Sequence, residues 1–313
     1  VPEYQKKGWW PDMAYPLHIY KPITITPALL TATSVAEADY PEWSAGTTYA
    51  DGDRVILAAQ HRVYESVAGG NTGNNPAMST QWSEVGPTNR WRMFDLSIST
   101  ATFVTDADYC EITPGRAITA VALVNVQGLA SVRVRVTDPT FGLVYDQTRS
   151  MAALPTEADW WAWFFDERDP PTRIILGDLP SYPAATIRLD FAASVTASIG
   201  VAVLCTQRAV GLGVQQGASI GIQDYSRKER NEWGDTVLMQ RAYARRATLD
   251  VFMANAELDS VYDLLASLRA TPCLWAASDR RDALTLFGFY RDFSINVSYA
   301  DYSDCSIELE GLT

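Results

Sequence analysis

PEWSAGTTYADGDRVILAAQHRVYESVAGGNTGNNPAMSTQWSEVGPTNRWRMFD, residues Pro41 to Asp95, gathers Trp43, Tyr49, Tyr64, Trp82 and Trp91 between turn signals. Asp51-Gly52 predicts a hairpin turn, because glycine supplies a positive φ and aspartate tolerates one. Val55, Ile56 and Leu57 then begin a strand, and His61 to Val67 alternates apolar and polar side chains as a half-buried strand does. Gly69-Gly70-Asn71-Thr72-Gly73-Asn74-Asn75-Pro76 cannot continue that strand and reads as a loop. A three-stranded unit of this size has little core, so its aromatic rings are needed inside simply to hold it together.

The order Trp43, Tyr49, Gly52-Asp53-Arg54-Val55, Tyr64, Asn71, Pro76, Trp82 resembles the small carbohydrate-binding modules appended to bacterial chitinases and also found in phage tail proteins. The following Pro87 to Asp95 is similar to the return from such a module into a tail-tip protein. Chitin-binding relatives carry adjacent tryptophans just after the strand equivalent to Arg62–Ser66, where this chain has Val67-Ala68-Gly69-Gly70. Sugar binding needs exposed aromatic faces for pyranose C–H groups and polar neighbours for hydroxyls. The resemblance therefore makes Trp43, Tyr49 and Trp82 the glycan-binding candidates, with Asn71 and Asn74 as hydroxyl partners.

The chain of 313 residues is long enough for two or three domains. Its 25 Lys and Arg against 37 Asp and Glu give a net charge of −12, which argues against nucleic acid as a partner, since phosphate binding relies on clustered cations. The longest weakly polar stretch, Phe191 to Cys205, is interrupted by Ser194, Thr196 and Ser198 and is too short to span a bilayer. The four cysteines, Cys110, Cys205, Cys273 and Cys305, lie far apart without paired ligand spacing, so no metal or other cofactor is expected. Four buried, reduced thiols fit assembly in a bacterial cytoplasm.

Outside the small module the pattern is strand-like. Residues 1–22 read as a proline-rich extended arm, and Ile23 to Ile25 and Leu29 to Val35 as strand material. Thr119 to Val126 and Ala130 to Thr137 read as two strands, the second with Val132, Val134 and Val136 on one face and Arg133 and Arg135 on the other. Ala184 to Asp190 and Val195 to Leu204 continue the theme. Short strands broken by Asp-Pro, Pro-Gly and Leu-Pro turns imply an antiparallel β-sandwich, and the Ala117–Val126 and Ser131–Asp138 pair looks similar to galactose-binding-like jelly rolls embedded in phage tail proteins. Gly211, Gly213, Gly217 and Gly221 mark a change of character. Beyond them Arg245 to Met253 reads as a strand, Asn255 as a helix N-cap, and Leu258, Val261, Tyr262, Leu265 and Leu268 as a helical stripe. Strands follow at Leu284–Tyr290, Phe293–Tyr299 and Cys305–Leu309. Tyr302 to Leu312 resembles the closing strand of phage minor and distal tail proteins, which implies a C-terminal α+β domain of the distal-tail β-barrel kind.

The expected organisation is thus mainly β: an N-terminal arm and first sandwich strand (1–40), the inserted small module (41–88), the β-sandwich (89–212) and a tail-ring assembly domain (213–313). An enzyme reading finds little support. His18 and His61 are the only imidazoles, and neither has a Gly-x-Ser-x-Gly elbow or a papain-like cysteine signature to work with, so no catalytic residue is assigned. A glycosidase needs only two facing carboxylates. For that reading Asp159, Asp166, Glu167 and Asp169 rim the aromatic run Trp160 to Phe165.

The resemblance implies a structural virion protein of a long-tailed bacteriophage's tail tip or baseplate, assembled in the host cytoplasm with tube, hub and fibre proteins as partners and host surface polysaccharide as an auxiliary ligand. A glycan-binding adhesin and a polysaccharide-degrading enzyme are the competing classes. A tail part needs cyclic symmetry, and head-to-tail contacts close into rings. Arg241, Arg245 and Arg246 are the assembly candidates, with Asp301, Asp304, Glu308 and Glu310 as opposite charges to steer neighbouring copies.

Overall fold

The structure, a computed structural model, describes residues 15–152, 170–230, 233, 235–278 and 281–312. The aromatic run Trp160 to Phe165 and its rim of Asp159, Asp166, Glu167 and Asp169 lie outside the described residues, as does most of the N-terminal arm. The chain is mainly β, its ladders are antiparallel, and it divides into two compact units. One unit combines the N-terminus up to Ile23 with Cys205 to the C-terminus; the other is Thr24–Leu204.

In the first unit the strand Leu17–Pro22 lies between the end of the long strand Thr186–Val210 and the strand Cys273–Ala276. Residues expected to form part of an extended arm are instead a central strand, with Leu17, Ile19 and Tyr20 buried. The order continues through Thr285–Asn296, Tyr302–Gly311 and Tyr243–Ala254 to Gly213–Val214 and Ser219–Asp224. Among the described residues these pairings do not close into a barrel, contrary to the expectation for this region. Alternation builds the core: Ala247, Leu249 and Val251 stand opposite Leu309, Ile307 and Cys305, all buried. The helix Leu258–Ser267 belongs to the same core through Val261 and Leu265, joined by Leu268 just past its end.

Three local expectations change here. Tyr262 points out of the helical stripe and meets Phe293 edge-on at 5.9 Å. Asn255 opens a 3-10 turn rather than capping the helix; its amide donates to the Tyr299 and Ala300 carbonyls at 3.0 and 2.8 Å and accepts from the Ser303 hydroxyl. A cap acts only when its side chain turns back to the helix's own free N–H groups, and this one ties down another loop. The strands expected at Leu284–Tyr290 and Phe293–Tyr299 are one strand, Thr285–Asn296, with a register shift between Tyr290 and Asp292.

The second unit is built on two long strands. Ala120–Asp138 is a single strand where two were expected; its first part pairs with Arg173–Leu176 and its second with Gly142–Ser150. Asn125 and Gly128, at φ 55° and 74°, lie within it. These positive values bend the chain without ending the strand. The bend lies close to the neighbouring long strand: a Cβ at Gly200 would come within 2.8 Å of the Asn125 Cβ. Thr186–Val210 is also continuous and takes Tyr109–Ile112 and Thr102–Val104 as partners in this unit. Leu30–Thr33 pairs with Tyr109–Ile112, whereas Ile23 to Ile25 is not strand.

The small module forms a three-stranded sheet, Arg54–Leu57, Arg62–Ser66 and Trp82–Pro87, and a two-stranded one, Thr48–Tyr49 with Asn71–Thr72. Gly52 has the positive φ expected, 84°, and Asp53 N–H bonds the Ala50 carbonyl across the turn at 3.2 Å. The turn is not a hairpin, because the strands on its two sides belong to different sheets. The hairpin lies one strand later, where His61 takes the left-handed position at φ 58°. A register shift between Val63 and Tyr64 then brings both side chains inside, which breaks the simple alternation.

Candidate functional site

The glycan candidates sit in the module's interior. Tyr49 and Trp82 are buried, with exposures of 8% and 7%, and meet edge to face at 5.1 Å. They form one cluster with Val55 and Tyr64, against which Trp43 and Leu57 pack. Ser44 N–H donates to the Tyr49 hydroxyl at 2.8 Å, and the Trp82 indole N–H to the Asn74 carbonyl at 3.0 Å. Asn71, also buried, donates to the Ser66 hydroxyl at 3.0 Å, while its own side-chain oxygen receives the Asn74 amide at 2.8 Å. Stacking on a pyranose needs an open ring face. Tyr49 and Trp82 offer none in this arrangement, the buried Asn71 amide is already engaged by Ser66 and Asn74, and Trp43 and Asn74 are half-buried at the module's margin.

The module is clamped where the chain enters and leaves it. Glu37 Oε1 lies 2.7 Å from His61 Nδ1 and accepts from the Thr88 hydroxyl at 2.6 Å, and its Oε2 pairs with Arg90 at 3.0 Å. Asp39 accepts from Asn89 N–H at 2.8 Å and pairs with Arg92 at 2.7 Å. The Trp91 ring lies 4.7 Å from the His61 imidazole. Burial raises the value of such charge-assisted bonds and the cost of breaking them. The His61–Glu37 pair has the geometry of a base and its orienting carboxylate, but the Thr88 hydroxyl beside it is bound to the carboxylate rather than the imidazole. His18, in the other unit, bonds Gln207 at 2.5 Å, and burial holds its pKa below the usual histidine range. Among the described residues no group of three or more His, Cys, Asp or Glu side chains is placed to hold a metal ion.

The arginines of the alternating strand Ala120–Asp138 join a charge ladder: Arg133 binds Asp146 at 2.5 and 2.7 Å, and Arg135 grips Asp190 at 2.8 and 2.9 Å. Arg188 extends it to Glu111 at 2.6 Å and lies over the Tyr109 ring at 3.8 Å. Hydrogen bonding to Arg133 holds the Asp146 carboxyl below its ordinary pKa. These charges neutralise one another within the sheet.

The assembly candidates separate. Arg246 faces Glu310 across neighbouring strands at 3.6 Å, so this pair is spent within one chain. Arg241 and Arg245 are exposed. Asp304 accepts from Gln215 at 2.6 Å and Ser298 at 3.0 Å; Asp301 and Glu308 are exposed.

Beside them the sequence reading missed a ribbon. Arg227–Arg230 and Thr236–Met239 form a separate two-stranded sheet, and Leu238 and Met239 on it are 73% and 47% exposed. Ile220 and Ile222 on the adjoining edge strand Ser219–Asp224 are exposed as well. Their signal was present in the alternation Ile220-Gly221-Ile222-Gln223, which the neighbouring glycines disguised as a flexible junction.

No protein-family model, curated protein or solved structure matches this chain. Among the described residues no helix is long and apolar enough to cross a membrane.

Proposed function

We propose that this chain is a structural virion protein of a long-tailed phage's tail tip or baseplate, with the unit of residues 15–23 and 205–312 as its assembly element. The observation that carries the reading is the Arg227–Met239 ribbon. An isolated two-stranded hairpin is marginal in water, and this one exposes Leu238 and Met239 instead of burying them against its own chain. Such an element gains its stability on a partner, as a component of a larger assembly does. Tube, hub and fibre proteins are the neighbours this role implies, and a cyclic homo-oligomer is the arrangement that fits a tail axis.

In this reading the Thr24–Leu204 unit is a jelly-roll spacer of the galactose-binding-like kind. The aromatic-cored module is an outward ornament on it, with host glycan as an auxiliary ligand at most. The packing of Tyr49 and Trp82 supports a structural role for those rings, and the bonding of His61 and Thr88 to Glu37 supports a role without hydrolysis. Antibody against the chain should label one end of the tail on purified virions. Purified virions that lack the chain would overturn the proposal.

A further inference from the structure

Asp292 and Glu308 stand directly opposite each other on neighbouring strands of the first unit, both exposed. Like charges directly opposite across a ladder repel, so a lone chain carries this arrangement as a cost. The same face of the sheet continues with Asp250 and Asp304, while the opposite face carries the buried Leu249 and Ile307 with the partly buried Phe293 packed against that core. Of the cations on these strands, Arg246 is engaged by Glu310 at the far end, and the exposed Arg291 is the extra residue at the register shift beside Asp292. Near the Asp304 end, Phe252 and Tyr302 stack at 5.0 Å, and Tyr302 is 42% exposed. The face is therefore acidic with an aromatic border.

The ribbon is its chemical complement. Lys228 and Arg230, two residues apart on one strand, point to the same side, and Leu238 stands opposite Lys228. Arg227 on the other side is paired with Glu229 at 2.8 Å. One side of the ribbon thus offers two cations and a leucine in a chain whose overall charge is −12. The ribbon's exposure shows that it does not lie on the acidic face of its own chain.

We infer that the Lys228–Arg230 side of the ribbon docks on the Asp292–Glu308 face of a second copy of this chain. The contact joins two different surfaces, so it is head-to-tail and propagates around a ring instead of stopping at a two-fold dimer. Lys228 and Arg230 relieve the repulsion between Asp292 and Glu308, and Leu238 leaves water against the partner. The inference rests on the reading of this unit as the assembly element and adds the identity of the receiving surface.

Two experiments on the full chain test it. Lys228→Cys and Glu308→Cys proteins are prepared separately and oxidised alone and mixed; the native cysteines are all buried and stay out of the reaction. A disulfide-linked pair in the mixture and none in either protein alone is the expected result. Sedimentation then follows the charge variants: Lys228→Glu with Arg230→Glu should weaken self-association by on the order of tenfold, as should Asp292→Lys with Glu308→Lys. All four substitutions in one chain should restore it. Self-association of the wild type without the mixed cross-link, or a quadruple variant no better than the doubles, overturns the docking surface and leaves the assembly reading standing. A wild type that stays monomeric, alone and within isolated tails, overturns both.

Discussion

Replacing Trp82 by alanine separates a core role from a ligand platform. The ring is 93% withdrawn from water, on the complement of its 7% exposure. A tryptophan buries roughly 150–250 Å² on folding. At about 25 cal/mol per Å² that corresponds to about 4–6 kcal/mol as an upper bound, reduced by the compactness of real denatured chains. Measured Trp→Ala costs in cores are about 3–5 kcal/mol, in the same range. The lost indole bond to the Asn74 carbonyl, 3.0 Å in the structure, adds about 1 kcal/mol.

A module with so small a core has little more than this to lose. Trp82→Ala should therefore open the module while the rest of its unit stays folded. Hydrogen exchange read by mass spectrometry is the assay. Amides of Arg54–Leu57 and Arg62–Ser66 should lose protection by at least a hundredfold, about 3 kcal/mol, while those of Ala120–Asp138 keep theirs. Trp82→Phe should retain most of the protection. An alanine variant with unchanged exchange that has lost binding to host polysaccharide would refute the reasoning, because it would place the ring at a ligand instead of in the core.

Glu37→Gln should destabilise the Thr24–Leu204 unit by about 2 kcal/mol, since it strips the charge from a carboxylate that His61, Thr88 and Arg90 all contact. The urea midpoint reads this, and a shift below about 0.5 kcal/mol would show that the clamp carries no load. The buried thiols make a pH prediction. Burial pushes Cys110 and Cys273 up to about 12 and Cys305 to about 11 from an ordinary 9.0, and Cys205 further in the same direction. The unfolded chain then releases thiol protons from about pH 9 while the folded chain holds them, so their contribution is intact below pH 9 and is lost progressively as pH rises toward 11 and 12. Melting temperature should fall across that window, and falling less in a variant with Cys110→Ser and Cys273→Ser would confirm the source; a flat profile from pH 8 to 11 would contradict it.

Much of the local structure was legible because period-two alternation records which side of a strand meets the core. Val132, Val134 and Val136 against Arg133 and Arg135 announced their strand, and Ala247, Leu249 and Val251 announced theirs. The aromatic core of the module was legible for a related reason: a short segment with so many rings has nowhere else to put them. The glycan-site candidates were less so. Whether a ring shows its face depends on what covers it, and that depends on partners such as Asn74 and Ser44, whose contacts no spacing records.

By itself, then, the sequence determined a mainly β chain, an aromatic-cored module, and an amphipathic helix packed on a sheet near the C-terminus, because each is written in contacts between near neighbours. Only the tertiary structure decided that Leu17–Pro22 is a central strand of the C-terminal unit, with His18 bonded to a residue 189 positions away. It alone decided that Asn125 and Gly128 bend one strand where two had been expected, and that Asn255 braces a loop where cap chemistry suggested a helix start. It also brought Arg246 to Glu310 and left Asp292 facing Glu308. The physical reason is common to all of these. A side chain's local preference is worth about 1 kcal/mol or less, whereas the register of a sheet is set by many long-range pairings acting together, and the sum overrides the local choice.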